Sequence, residues 1–478
     1  MSSPAAKPSF DAFSKPQKNP PAALPVVPPA RPDPAHAHKP DAPKSSAKTS
    51  FKDVFKVGEF RALWASQILS AGGDRLALVA LTILIFDRTR SPLLAAVAYA
   101  AGNVPYIAGA LFLSGFADRF PRKAVLVTCD LIRAVLVVAM LIPGMPLPAL
   151  IALLYVVTTF QPPFDAARSA ILGDILQGEK YALGAATMQM TMRMLVVGGA
   201  ALGGLTVALI GARPALGTDA ATFVASGVLM VAGLRARPAA AAHNRPNGLS
   251  LLLSGTRIVF GDKALRTLML IGWLAAFYEI PEGVAAPYAG ALRAGAVGTG
   301  LLIATSQLGA VIFAPFFTKK VGPLRRLRWM GPMAALACAT LALTAIRPGL
   351  IGSMVIFAVS GSFAIYQIAA NTAFVQRIPN ECRAQAFGLA NAGLVVGQGV
   401  AFAIAGAACE IAPPSVVVAV GGGAGAVIAA YLALRWRSMT PAIGRHSARH
   451  LSRAVPPSEP PLMPEPVLAG SPRLARSR

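Results

Sequence analysis

The residues able to do chemistry in this 478-residue chain are charged side chains set inside long apolar runs. Asp74 and Arg75 follow the pair Gly72-Gly73, Glu279 and Glu282 stand three apart, Asp130 and Arg133 share the same spacing, and Arg193 lies among Met188, Met190, Met192 and Met194. At the centre of a bilayer each such charge costs roughly 2.5 to 3.5 kcal/mol, so it must face protein or water. A carboxylate in that setting takes up and releases a proton or holds a cationic group. An alternative for Asp74 and Arg75 is a structural ion pair, with each other or across helices. Arg193 either holds an anionic group or pairs with an acid on a facing helix, Asp74 being one candidate. Asp130 and Arg133, at i and i+3, lie on one helix face and are expected to form an intramembrane ion pair. Asp165 and Asp219 are expected to cap or gate. The Met cluster reads either as an adaptable apolar wall or as ordinary filler.

The elements that position these groups follow from composition. Hydrophobic residues make up 55% of the chain and charged residues 13%, far from the balance of a water-soluble domain. The apolar mass divides into stretches of the ~20 residues that a membrane-crossing helix needs. These run near 60–86, 92–114, 124–142, 147–168, 184–209 and 214–234, then near 264–287, 297–318, 328–347, 350–374, 386–408 and 413–435. A polar segment, 235–263, separates two six-helix sets, 55–234 and 264–435, and reads as a cytoplasmic central loop. Residues 1–50 are rich in Pro, Ala, Ser and Lys with few large apolar side chains, so a disordered cytoplasmic tail is expected there. A disordered basic cytoplasmic tail is likewise expected over 436–478.

Charge sets the orientation. The formal net charge is +24, but Lys and Arg collect in alternate loops and in both tails, the pattern of cytoplasmic segments rather than of a nucleic-acid groove. Arg119, Arg122 and Lys123 lie in one such loop, and Lys319, Lys320, Arg325, Arg326 and Arg328 in another. Both termini are therefore expected in the cytoplasm of a bacterial inner membrane. The chain begins with a Pro, Ala and Lys segment instead of a basic start followed by an apolar run, so a cleavable signal peptide is not expected. Cys129, Cys338, Cys382 and Cys409 are scattered without C-x-x-C spacing, which indicates neither a metal site nor a disulfide frame. No P-loop and no nucleophile elbow occur, so no cofactor and no enzyme activity are expected.

The two sets also repeat. Ala167-Arg168-Ser169-Ala170 parallels Ala370-Asn371-Thr372-Ala373, Leu195-Val196-Val197-Gly198 parallels Leu394-Val395-Val396-Gly397, and Phe60-Arg61-Ala62-Leu63 parallels Leu265-Arg266-Thr267-Leu268. Three matches in one order at a nearly constant offset predict duplicated halves. The expected fold is an all-α membrane protein of twelve transmembrane helices in two pseudo-symmetric six-helix bundles.

Between the second and third spans stands Gly115-Phe116-Ala117-Asp118-Arg119-Phe120-Pro121-Arg122-Lys123. Here the sequence resembles the major facilitator superfamily, whose loop reads roughly G-x-x-A-D-R-x-G-R-R/K, and the resemblance runs from about 55 to 435. Pro121 replaces the commoner Gly, as in the branch that includes bacterial siderophore and macrolide exporters. The resemblance implies that Gly115, Asp118, Arg119 and Arg122 form a cytoplasmic latch. The matching place in the second half, Phe317-Thr318-Lys319-Lys320-Val321-Gly322, lacks the Asp. A second likeness, to the G-P-x-x-G-G pattern of antiporters, falls on Gly199, Gly203 and Gly204, with Ala200 in place of Pro; close helix packing accounts for most of it. The Arg that many drug and proton antiporters carry early in the fourth span is missing. What the resemblance implies is a secondary transporter working by alternating access, as a monomer, on a small molecule, with protons and the lipid bilayer as its other partners. Proton-driven efflux of a lipophilic or siderophore-like compound is the leading expectation. Uptake, or a sensor or scaffold of the same fold, stands beside it.

Overall fold

The computed structural model describes residues 51–102, 104–113, 119–237, 248–379 and 382–454, so Gly115 and Asp118 of the expected latch, the expected tail 1–50, part of the central segment and 455–478 of the expected C-terminal tail lie outside the described residues, while 436–454, expected as disordered, continue the last helix, Pro414–Ala454. Within the described residues the chain is helical, with no strand. The first span is Gly58–Thr89; the second is helical over Pro92–Ala100 and Val104–Ala108 and closes in a wider turn over Gly109–Leu113. The fourth, Leu147–Ile175, joins two helices at Phe160, where Pro162 and Pro163 interrupt the backbone ladder. Glu179–Ile210 and Ala212–Gly233 complete the first half as the fifth and sixth spans. In the second half, the eighth to twelfth spans are Gly295–Lys320, Leu324–Ile346, Leu350–Arg377, Gln385–Ala408 and Pro414–Met439.

Ten described helices are long and apolar enough to cross a bilayer, and an eleventh is the bent pair Lys263–Gly283 and Ala285–Ala291, which turns through 42°. The remaining element, Arg122–Met140, has 19 residues, about 28 Å of helix at 1.5 Å per residue. Its hydropathy is lowered by Asp130 and Arg133, both buried, while Leu131, Val135, Val138 and Ile142 point outward on the opposite face. Polar inside and apolar outside is the pattern of a lipid-facing helix with a charged interior, and this helix stands at the place of the expected third span, consistent with a series of twelve.

The seventh span is broken where its acids sit. Short helices Ala275–Tyr278, Ile280–Gly283 and Ala285–Ala291 follow Lys263–Trp273, and Glu279 occupies one of the breaks. Pro281 explains this: it has no N–H to donate and its ring crowds the carbonyl four residues earlier. The first span, which carries Asp74, continues without interruption. In the central segment, Gly248–Gly261 forms a further helix that packs along the eleventh span.

The two halves meet through the second span against the eleventh and the fifth against the eighth. Small residues allow this. A Cβ at Gly204 would come within 2.5 Å of the Ala296 carbonyl oxygen and 2.9 Å of Gly300 Cα, and one at Gly406 within 2.9 Å of Leu93 Cα. On the same side, Glu410 accepts hydrogen bonds from the Ser91 hydroxyl at 2.6 Å and the Leu93 amide at 3.2 Å.

Candidate functional site

Toward the other ends of the spans the halves part around a cavity of about 800 Å³. Its first-half wall is Gln189, Met190, Arg193 and Met194 of the fifth span; its second-half wall comes from the seventh, eighth, tenth and eleventh spans and includes Met269, Trp273, Phe374 and Phe387. The lining extends to Thr318 and Phe374, one turn from Lys320 and Arg377, so the cavity runs toward the basic face.

Glu279 and Glu282 stand in this wall. Glu282 is buried and accepts three hydrogen bonds: from the Ser306 hydroxyl at 2.7 Å, from Gln307 Nε2 at 2.6 Å and, across the boundary between halves, from the Tyr99 phenol at 2.9 Å. Glu279 accepts from Gln398 Nε2. Full use of its acceptor sites is what lets a carboxylate persist away from water. Arg193 is exposed to the cavity. Tyr99, Ser306, Gln307 and Gln398 are site residues that charge alone does not reveal; the available signal is a polar side chain in an apolar run.

The other charged group lies inside the first half. Arg133 is enclosed and its guanidinium engages both oxygens of Asp74, with Asp130 Oδ1 3.6 Å from Nη1 and the Phe223 ring centroid 4.3 Å from Cζ. The partner of Asp74 is thus Arg133, neither Arg75 nor Arg193, and Arg133 serves both Asp74 and Asp130, so the expected i, i+3 pair is one arm of a three-residue cluster. Ser70 bridges them, donating to Asp130 at 3.2 Å and accepting from Arg133 at 3.3 Å. A cavity of about 50 Å³ touches Asp74, Arg75 and Asp219. Asp165 pairs with Arg168 at 2.8 Å and accepts from the Tyr106 hydroxyl at 3.3 Å.

Of the loop residues, Arg119 is exposed, and Arg122 pairs with Asp174 and donates to the Ala170 carbonyl at 3.3 Å, both at the end of the fourth span in the same half. Lys123 closes the end of the sixth span, its Nζ 2.7 Å from the Val231 carbonyl and 2.6 Å from that of Leu234. The three glycines of the fifth span are packing positions: Gly199 lies against Arg75, Gly203 against Leu76 and Val79, and Gly204 against the eighth span. Among the described residues no group of three or more His, Cys, Asp or Glu is placed to hold a metal ion.

This architecture recurs in known proteins. A POT family transporter solved in complex with a thioalcohol-conjugated peptide superposes with a TM-score of 0.65 over 80% of this chain and 96% of its own, at 11% identity. In sequence, an uncharacterized MFS-type transporter, YkuC of Bacillus subtilis, is 30% identical over 182 residues, 37% of this chain and 42% of the relative. The multidrug efflux pump Tap of Mycobacterium tuberculosis is 26% identical over 238 residues, 46% of this chain and 55% of the pump. The aligned stretches therefore span about half the length of these relatives or less. The sequence pattern of the Major Facilitator Superfamily matches residues 63–402, and the chain belongs to that family of membrane transport proteins.

Proposed function

We propose that the protein exports a lipophilic small molecule in exchange for protons, by alternating access between its two halves. The observation that carries this reading is the 800 Å³ cavity between the halves, walled by Met and aromatic side chains and holding Glu279 and Glu282. Its volume suits a drug-sized ligand, and the flexible Met and aromatic side chains in its lining, interspersed with polar groups, suit varied shapes. Acids in such a wall, lost or satisfied as a proton arrives, bias which side is open. The resemblance over part of the chain to a multidrug efflux pump supports the outward direction.

In this reading the basic face lies in the cytoplasm of a bacterial inner membrane with both termini, and the structure is the inward-open state. The contacts of Tyr99 with Glu282 and of Ser91 with Glu410 hold the outer side shut. When the cycle reverses, the loop containing Gly115, Asp118, Arg119 and Arg122 latches the inner side. Asp74 and Arg75 belong to the first-half frame, and Arg193 greets ligands at the cavity wall.

The test is accumulation of a panel of fluorescent hydrophobic compounds in cells expressing the wild type or Glu279→Gln, with and without a protonophore. Lower accumulation in wild type, abolished by the substitution and by the protonophore, is expected. Accumulation that is higher in wild type than in non-expressing cells would mean uptake and overturn the direction.

A further inference from the structure

We propose that Asp219, on the sixth span, is a proton-binding site buried within the first half, separate from the acids of the large cavity. Two carboxylates, those of Asp74 and Asp130, engage one enclosed guanidinium, that of Arg133, and a third, that of Asp219, shares a small cavity with Asp74. Asp74 occupies it with both oxygens, and Asp130 approaches Nη1 at 3.6 Å while accepting from Ser70. Asp219 is left over. It is 1% exposed, its Oδ1 has no hydrogen-bond partner, and among the described residues it makes no ion pair. The Thr222 hydroxyl donates to the Asp219 main-chain carbonyl at 2.7 Å.

An ionised carboxylate so placed loses its hydration, a penalty of several kcal/mol, while the one nearby enclosed guanidinium is already engaged by Asp74 and Asp130. A neutral acid in the same place escapes that penalty. Of the other charges, Arg75 lines the same small cavity, with its Cβ against Gly199 and no ion pair among the described residues, and Arg168 is paired with Asp165. The site is also built for a small occupant. Oδ1 lies 2.4 Å from where a Cβ of residue 73 would stand, so Gly73 makes room for the acid.

A path for the proton exists as well. The 50 Å³ cavity is bounded by both Asp219 and Asp74, with Thr158 and Gln161 on its wall, which is room for water between the two acids. Transfer breaks the O–H bond on Asp219 and forms one on Asp74; the proton is conserved, and Arg133 exchanges its Asp74 partner for the newly ionised Asp219. That swap would tug the third span against the first and sixth. The inference does not depend on export or on the large cavity.

The experiment is infrared difference spectroscopy of the full-length protein in lipid, following the band of a protonated carboxyl through a pH titration. The wild type should show the band at neutral pH, and it should shift when the protein is made with isotopically labelled aspartate. Asp219→Asn should lose it, Asp219→Glu should shift it, and Glu279→Gln should keep it. A band missing from wild type, insensitive to aspartate labelling, unchanged in Asp219→Asn, or lost only in Asp130→Asn would overturn the assignment. The labelling arm uses the wild type, so it stands whether or not Asp219→Asn folds.

Discussion

The phenol of Tyr99 in the second span donates to Glu282 Oε2 in the seventh at 2.9 Å, a buried hydrogen bond that ties the two halves at the wall of the large cavity. Removing its hydroxyl leaves a carboxylate oxygen without a donor, at a cost of about 1–3 kcal/mol. Because the bond joins halves that part elsewhere, Tyr99→Phe should shift the balance toward separation on that side. Spin labels at Arg88 and Ile411, on the side where Ser91 meets Glu410, should gain a longer-distance population in Tyr99→Phe. An unchanged distribution would mean the bond does not hold the halves together.

Loss of Arg133 should be far more damaging than loss of Arg75. Arg133→Gln leaves Asp74 and Asp130 buried without their cation, and breaking a buried pair by deleting one partner costs roughly 3–5 kcal/mol. Arg75 is only half-buried and makes no ion pair among the described residues. Thermal melting in detergent should therefore place Arg133→Gln well below the wild type and Arg75→Gln close to it. Restoring charge balance with Arg133→Gln and Asp74→Asn together should recover part of the loss.

Gly204 and Gly300 face each other at the contact of fifth and eighth spans, and each would drive a Cβ to 2.5 Å from a carbonyl oxygen of the other helix. Backbone on both sides cannot yield as a side chain would. Gly204→Val should push the halves apart there, at about 1–3 kcal/mol for overpacking, and should depress transport while leaving the protein in the membrane. Gly198→Ala, where a Cβ would meet open space, is the control and should transport normally.

Asp262 caps the seventh span, accepting from the amides of Ala264 at 2.7 Å and Leu265 at 3.3 Å, and meets Arg377 at 3.1 Å. Burial alone would raise its pKa, but the Ala264 amide, the Arg377 guanidinium and the Leu265 amide together hold it below the usual carboxylate range. A depressed value stabilises the fold above the unfolded pKa of about 3.9, and that contribution fades as pH falls through the folded value. Asp262→Ala should thus lower the melting temperature by an amount equivalent to about 1 kcal/mol at neutral pH. The gap to wild type should stay constant down to about pH 5 and narrow below that, in the range where the wild-type carboxyl protonates.

Much of the architecture was legible before any coordinates. Apolar length placed the spans to within a few residues for most of the twelve, because lipid allows few ways to satisfy a backbone other than a helix. The expected helix over 124–142 corresponds to Arg122–Met140 despite its two buried charges. The central segment was less legible: Gly248–Gly261 reads as polar linker by charge, yet it folds as a helix because its apolar residues have the eleventh span to pack on. Apolar length alone reads 264–287 as one span, and the break beside Pro281 shows only in the fold.

Pairing was the property that sequence could not determine. Spacing put Arg133 beside Asp130 on one helix, which is correct at 3.6 Å, but the stronger engagement is with Asp74, 59 residues away on another span. The same limit hid the donors to Glu282, drawn from Tyr99 in one half and from Ser306 and Gln307 in the other. Hydrophobic length and loop charge act locally along the chain, so the sequence alone determined that this is a multi-span membrane protein with buried charges. Which charge answers which is decided by how helices distant in sequence rotate and pack, a choice made by small residues such as Gly73 and Gly204 that let backbones approach, and only the tertiary structure records it.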